Sequence, residues 1–273
     1  MPQEIINYGI MFFIAKFDER GFIMSFYEFI SKEPSVIKPF KLFGTSHILA
    51  LISVILFIAI FTKLSNRSET IHKYYKRFLL FMLPVQEILV RLWICFYQDF
   101  DFESMFSLHL CSMSIIFCTI ILVKYNQFLF EIIYFWGLGG ATQALLTPDI
   151  SAYGFPHFRF FQVFLSHGLI IATVIYFIFV ENKRIEKGSL KRILITTNIY
   201  AAFVFAVNMI FKTNYLFIGH KPETPSLIDM LGPWPFYIIW LELLMIIMFS
   251  LLYLPVLYAE KNRPKEELEA STG

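Results

Sequence analysis

The chain has 273 residues, of which 57% are hydrophobic, 19% aromatic and only 16% charged. Soluble domains carry charge on about 25% of their residues, so this composition excludes an ordinary water-soluble fold and indicates an integral membrane protein. A formal net charge of +2 gives no reason to expect a nucleic-acid partner, and Cys95, Cys111 and Cys118 all sit in or beside apolar runs, which is no disulfide framework.

Residues 1–43 are too polar to span a bilayer. The stretches "IINYGIMFFIAKF" and "FIMSFYEFI" are expected to lie as amphipathic pieces at the outer interface, capping the helical bundle. The opening "MPQEIINYGI" has neither the basic region nor the small-residue cleavage site of a secretory signal. Beyond them come seven apolar runs, at about 44–62, 77–98, 105–123, 128–147, 159–180, 191–212 and 235–258, each near the roughly 20 residues needed to cross the hydrocarbon. Inside lipid every amide must be paired within its own segment, so each run is a helix. The predicted fold is all-α: a polytopic bundle of seven transmembrane helices over 44–258, with 259–273 a solvated, disordered tail. No internal repeat and no obviously broken helix suggests a transporter built from duplicated halves.

Orientation follows the basic residues of the loops. Linkers one, three and five plus the tail hold fourteen Lys and Arg, whereas linkers two, four and six and the N-terminal segment hold eight, and linker two is purely acidic with Asp99, Asp101 and Glu103. The N-terminus is therefore expected outside and the C-terminus in the cytoplasm.

Polar residues gather at one depth. Antiparallel neighbours bring His47 (first helix), Glu87 and Arg91 (second), His109 and Cys111 (third), Thr142 and Gln143 (fourth), His167 (fifth) and Glu242 (seventh) into a band roughly 5–15 Å below the outer surface. Ionisable groups at such depth usually face an interior cavity, so a water-accessible cleft is expected there. A thiolate is the reactive form of cysteine and an imidazole can generate it. His109 and Cys111 are two residues apart and so diverge on a helix, which leaves His167 as the base from another helix. Cys111 reads equally as a small buried packing residue, as do Cys118 and Cys95. Glu87 and Arg91 either neutralise each other at i,i+4 or leave Arg91 to hold a phosphate or carboxylate. Glu242 needs a partner such as a histidine or Arg91. His47, His109 and His167 lack metal-ligand spacing, so neither a metal nor a cofactor is expected. The glycines of "WGLGGATQALLTPD" are those of close helix contacts.

The motifs "FKLFGTSHILAL", "LHLCSMSII", "FWGLGGATQALLTPD" and "FPHFRFFQVFLSHGLII" resemble the YwaF-type bacterial conserved integral membrane proteins, from about residue 40 to the end of the seventh helix. That family is distantly similar to a eukaryotic seven-helix acyltransferase acting on ether lysophospholipids, and to the androgen-induced membrane hydrolases. The resemblance implies a cysteine at the start of the third helix and a histidine on the fifth as catalytic groups, which are Cys111 and His167 in this chain. The expected activity is that of a lipid-directed acyltransferase or hydrolase with a fatty-acyl or membrane-lipid substrate. In that scheme His109, Thr142 or Gln143 would donate to the oxyanion and Arg91 would hold the headgroup. The other class that fits the polar band is a small-molecule transporter or ligand-binding protein, with Glu87, Arg91, His167 and Glu242 as a polar or proton-coupled site.

Overall fold

The computed structural model describes residues 26–34, 37–97, 102–150, 152–221 and 227–261, and every regular element among them is helical. The elements are α1 (Phe26–Ile30), α2 (Thr45–Ser65), α3 (Glu69–Tyr97), α4 (Phe102–Met105), α5 (Leu110–Val123), α6 (Gln127–Ile132), a π-helix (Ile133–Ala141), α7 (Thr142–Leu146), α8 (Phe158–Phe179), α9 (Ser189–Phe211) and α10 (Phe236–Lys261). They form seven helical spans long and apolar enough to cross a membrane, α4 with α5 making the third and α6 through α7 the fourth. The first expected amphipathic piece, residues 22–25 of the second and the tail beyond Lys261 lie outside the described residues; the rest of the second piece is α1. The last helix itself runs to Lys261, past the expected end at 258.

Three spans depart from plain helices, each for a local reason. The second begins at Glu69, well before its apolar run. Its polar opening turns are held by an Ile71 amide donating to Ser68 Oγ at 3.4 Å and by a Glu69–Lys73 pair at 3.5 Å. The third is broken between Met105 and Leu110. A break in lipid leaves backbone groups unpaired; Tyr200 takes up one by donating to the Leu108 carbonyl at 2.7 Å, while Ser112 Oγ ties α5 to the broken segment by donating to Ser107 Oγ at 2.9 Å. The fourth widens into a nine-residue π-helix through its glycines, a form common at functional sites.

The fourth span is the centre of the bundle, with Phe135, Trp136 and Ala141 buried. Lipid tails remove the hydrophobic drive between helices, so close packing and interhelical hydrogen bonds must hold them together. Trp136 Nε1 donates to Thr197 Oγ1 at 2.7 Å, and Tyr134 donates to the Leu252 carbonyl at 2.9 Å, tying the fourth span to α9 and α10. The π-helix glycines let three neighbours in: Ile170 meets Gly137, Phe249 meets Gly139, and Cys111 meets Gly140. At the end of linkers one, three and five, the fully buried Glu131 accepts two bonds from Arg192, at 2.8 and 2.7 Å.

At the opposite end, the described part of the N-terminal segment is docked onto the bundle. Three successive carbonyls, Ile30, Ser31 and Lys32, accept bonds from Trp93 Nε1, His157 Nε2 and the Tyr153 hydroxyl at 2.7, 2.9 and 3.1 Å. Gly154 lies so close to this segment that a methyl group there would stand 2.2 Å from the Lys38 carbonyl oxygen.

Candidate functional site

A cavity of about 810 Å³ opens at the end where linkers two, four and six meet. Its walls come from α3 (Glu87, Arg91), the broken third span (Ser104, His109, Cys111, Ser112), the end of the fourth (Thr147, Asp149), α8 (Arg159, Gln162, Ser166, His167) and the segment after α9 (Asn214, Phe217, His220). Cys111 and His167 therefore line one space from separate helices. A second cleft of about 640 Å³, between α2 and α8, is almost wholly apolar and is lined by Phe160, Phe161, Phe164 and Gly168. These lie on the face of α8 opposite Arg159, Val163, Ser166 and His167.

The break in the third span builds the corner of the cavity that holds His109 and Cys111. His109 caps α5 in extended conformation, with φ −65 and ψ 148, and Cys111 sits in the first turn. The helical-wheel reasoning that set the two apart fails for this reason: His109 is outside the helix, and both side chains reach the cavity. The first-turn amides of α5 have no acceptor within the helix before Met113, whose N–H bonds the His109 carbonyl at 3.1 Å. Gly140 flanks the thiol, and a methyl at that position would stand 3.4 Å from Sγ.

Hydrogen bonds place the protons on both imidazoles. His167 Nδ1 donates to the Val163 carbonyl one turn earlier, at 2.8 Å. The neutral ring carries one proton, so Nε2 is left as an acceptor. His109 is the reverse: its Nδ1 accepts from the Leu216 amide at 3.3 Å, so the proton is on Nε2 and that nitrogen is a donor. Tyr215 and Phe217 pack on the His109 ring with centroids 5.8 and 5.4 Å away. Leu216 has positive φ, 60°, and the turn bearing it is pinned by Asn214, which accepts from the Gly219 and His220 amides at 3.1 and 3.0 Å.

Glu87 and Arg91 are in the cavity wall as an ion pair, and Arg91 NH1 also donates to the Ser104 carbonyl. Four other expected site residues are elsewhere. His47 is fully buried and saturated: Nδ1 accepts from the Phe43 amide at 2.9 Å and Nε2 donates to the Leu145 carbonyl at 2.8 Å, which makes it a brace between α2 and α7. Thr142 and Gln143 are exposed on the outer side of α7, because the face carrying Ala144 and Thr147 is the one turned to the cavity. Glu242 meets neither a histidine nor Arg91. It accepts from Asn198 Nδ2 at 3.0 Å, between α9 and α10. Among the described residues, no group of three or more His, Cys, Asp or Glu is arranged to hold a metal ion.

Arg159, Gln162 and Ser166 are site residues that the sequence reading passed over. Their signal was present in the helical spacing of 159, 163, 166 and 167, which puts them on one face with His167. His220 and Phe217 come from a linker whose folding back over the cavity no periodicity encodes.

Searches of curated proteins and of solved structures found no match. The model of one transmembrane family matches residues 42–253, which take in six spans, most of the seventh and the whole cavity. The chain is therefore a seven-helix membrane protein belonging to the TMEM164 family.

Proposed function

We propose that the cavity carries out acyl transfer or ester hydrolysis on a membrane lipid, with Cys111 as nucleophile and His167 as base. The observation that carries this reading is the pair of opposite tautomers lining the same cavity as the Cys111 thiol: His167 presents an acceptor nitrogen and His109 a donor. The thiol proton passes to His167 Nε2 as sulfur bonds the ester carbonyl carbon. The carbonyl oxygen becomes an oxyanion, faced by His109 Nε2–H and the unpaired first-turn amides of α5. Collapse breaks the carbon–oxygen ester bond, and the departing alkoxide takes the proton back from His167. A second hydroxyl, from water or an acceptor lipid, then repeats these steps on the thioester. Of the three candidate oxyanion donors, His109 is the one that lines the cavity, whereas Thr142 and Gln143 are exposed on the outer side of α7. The likeness of the third- and fifth-span motifs to membrane acyltransferases supports the same roles, and the basic-residue bias of the loops favours a cavity that opens on the outer side. Lipid profiling of a Cys111→Ala strain tests this reading: altered acyl composition is expected, and an unchanged profile together with unchanged lysolipid would refute it.

One observation favours a ligand-translocating protein instead. The third span is discontinuous and the fourth locally unwound where they border the cavity, contrary to the sequence reading, and transporters place their sites at broken helices. On that reading Cys111→Ala leaves lipid composition alone and Arg91 or Glu87 substitutions abolish uptake.

A further inference from the structure

Two guanidinium groups line the cavity, and they are in different electrostatic states. Arg91 is spent: it is paired with Glu87 one turn away and donates its remaining arm to the Ser104 carbonyl. Arg159 has no carboxylate within 4.0 Å among the described residues, and one of its five donors goes to Gln162 Oε1. The group is nevertheless firmly placed. Its Cζ stands 5.6 Å from the Trp93 ring centroid, and Trp93 is itself tied to the Ile30 carbonyl. Gln162 cannot turn away, because its amide nitrogen donates to Gln86 Oε1 at 3.2 Å, and Gln86 in turn donates to the Leu83 carbonyl at 3.1 Å. This chain of amides fixes Gln162 as an acceptor toward Arg159. It also turns the guanidinium inward, since Gln162 is the deeper residue on α8.

A cation held rigidly in a membrane cavity without a counterion is costly unless something brings one. We propose that Arg159, braced by Trp93 and Gln162, is the anchor for a phosphate-type oxyanion in this cavity, a role the sequence alone suggested for Arg91. The planar fork of arginine matches such a group with two parallel hydrogen bonds. Asp149 and Glu103 on the same walls add negative charge. A singly charged phosphodiester is therefore favoured over a dianionic monoester. Arg159 and His167 share a face of α8 eight residues apart, about 12 Å along the axis. A bound phosphodiester would thus lie toward the mouth, with the rest of its molecule directed at the thiol and imidazole. The claim concerns binding and stands whether or not Cys111 is a nucleophile.

The test uses the purified full chain in detergent, with native mass spectrometry reading retention of phosphatidylglycerol against diacylglycerol of the same chains. Wild type and Cys111→Ala are expected to prefer phosphatidylglycerol by about tenfold or more, the factor a charge-assisted bidentate contact supplies. Arg159→Gln should lose that preference. Gln162→Glu guards against a folding artefact. It places a carboxylate where Arg159 already donates, which neutralises the anchor and should abolish the preference; it gives up the bond to Gln86 but keeps the contact with Arg159, so its unfolding temperature should fall by only a few degrees. Millimolar inorganic phosphate that displaces the lipid would assign the site to phosphate in general. Failure to displace would assign it to the headgroup in its lipid setting, and either result supports the anion site. Retention of phosphatidylglycerol by a folded Gln162→Glu protein at the wild-type level would overturn the proposal, as would a wild type that takes both lipids equally.

Discussion

Replacing Gly140 by valine probes the space that the proposed chemistry needs beside the thiol. A methyl at this position would lie 3.4 Å from Cys111 Sγ, slightly inside comfortable contact, so Gly140→Ala should be tolerated at a cost below about 1 kcal/mol. Valine carries two further methyl groups about 1.5 Å beyond that point. In the rotamers that aim one of them at Cys111, the sulfur or the α5 start must yield by up to about 1 Å, and overpacking of this kind costs about 1–3 kcal/mol. Misplacement of a reacting group by about 1 Å lowers reactivity about 100-fold. The assay pairs the rate of Cys111 labelling by an acyl-mimicking thiol probe with thermal unfolding of the same variants. The expected series is near-wild-type labelling for alanine and a drop of about two orders of magnitude for valine, with only a few degrees lost in Tm. Equal labelling of the valine and wild-type proteins would refute the placement of Gly140 against the thiol.

Two other substitutions test the supports of the site. Arg192→Ala would leave the fully buried Glu131 carboxylate with only the Gln127 side chain and the Glu186 amide as partners, a loss of about 1–3 kcal/mol because Arg192 itself is half-exposed, which differential scanning fluorimetry should register as roughly 2–12 °C, and Glu131→Gln combined with Arg192→Met should recover most of it. A single variant as stable as wild type would show that the pair does not form. His157 lies just outside the fifth span, and burial, with Arg159 adding, holds its imidazole below the ordinary range against the opposing Ser31 carbonyl bond and Glu28. A folded-state value below the unfolded one means that His157 contributes stability fully present above about pH 6.5 and lost as pH falls through the folded value. Thermal unfolding from pH 8 to pH 4.5 should therefore show an acid loss that flattens in His157→Asn, which keeps a side-chain acceptor for the Arg159 amide; identical slopes in both proteins would contradict it.

The seven spans were readable because a bilayer demands about 20 apolar residues and leaves no alternative to helix. The depth band was readable as well, since antiparallel helices convert distance along the chain into height, and Cys111, His167, Glu87, Arg91 and His109 share one cavity. What periodicity hides is any departure from it. The break ahead of Leu110 depends on Tyr200, 92 residues away, satisfying the Leu108 carbonyl, and it alone brings His109 and Cys111 into the same space. His47 carries the same depth signal as His167, yet the Phe43 amide and the Leu145 carbonyl occupy both its nitrogens. Depth distinguishes neither a saturated histidine from one with a nitrogen to offer, nor Arg91, paired with Glu87, from Arg159, which has no carboxylate partner among the described residues. Thr142 and Gln143 failed for a related reason: depth carries no information about which side of α7 meets the cavity.

The most direct measurement is intact-protein mass spectrometry of the purified chain after brief incubation with a phospholipid bearing a labelled acyl chain. A single acyl adduct on Cys111, released by hydroxylamine and strongly reduced in His167→Ala, is the expected result. A phospholipid that is turned over while Cys111 stays unmodified and Cys111→Ala retains full activity would contradict the proposed roles of the thiol and imidazole.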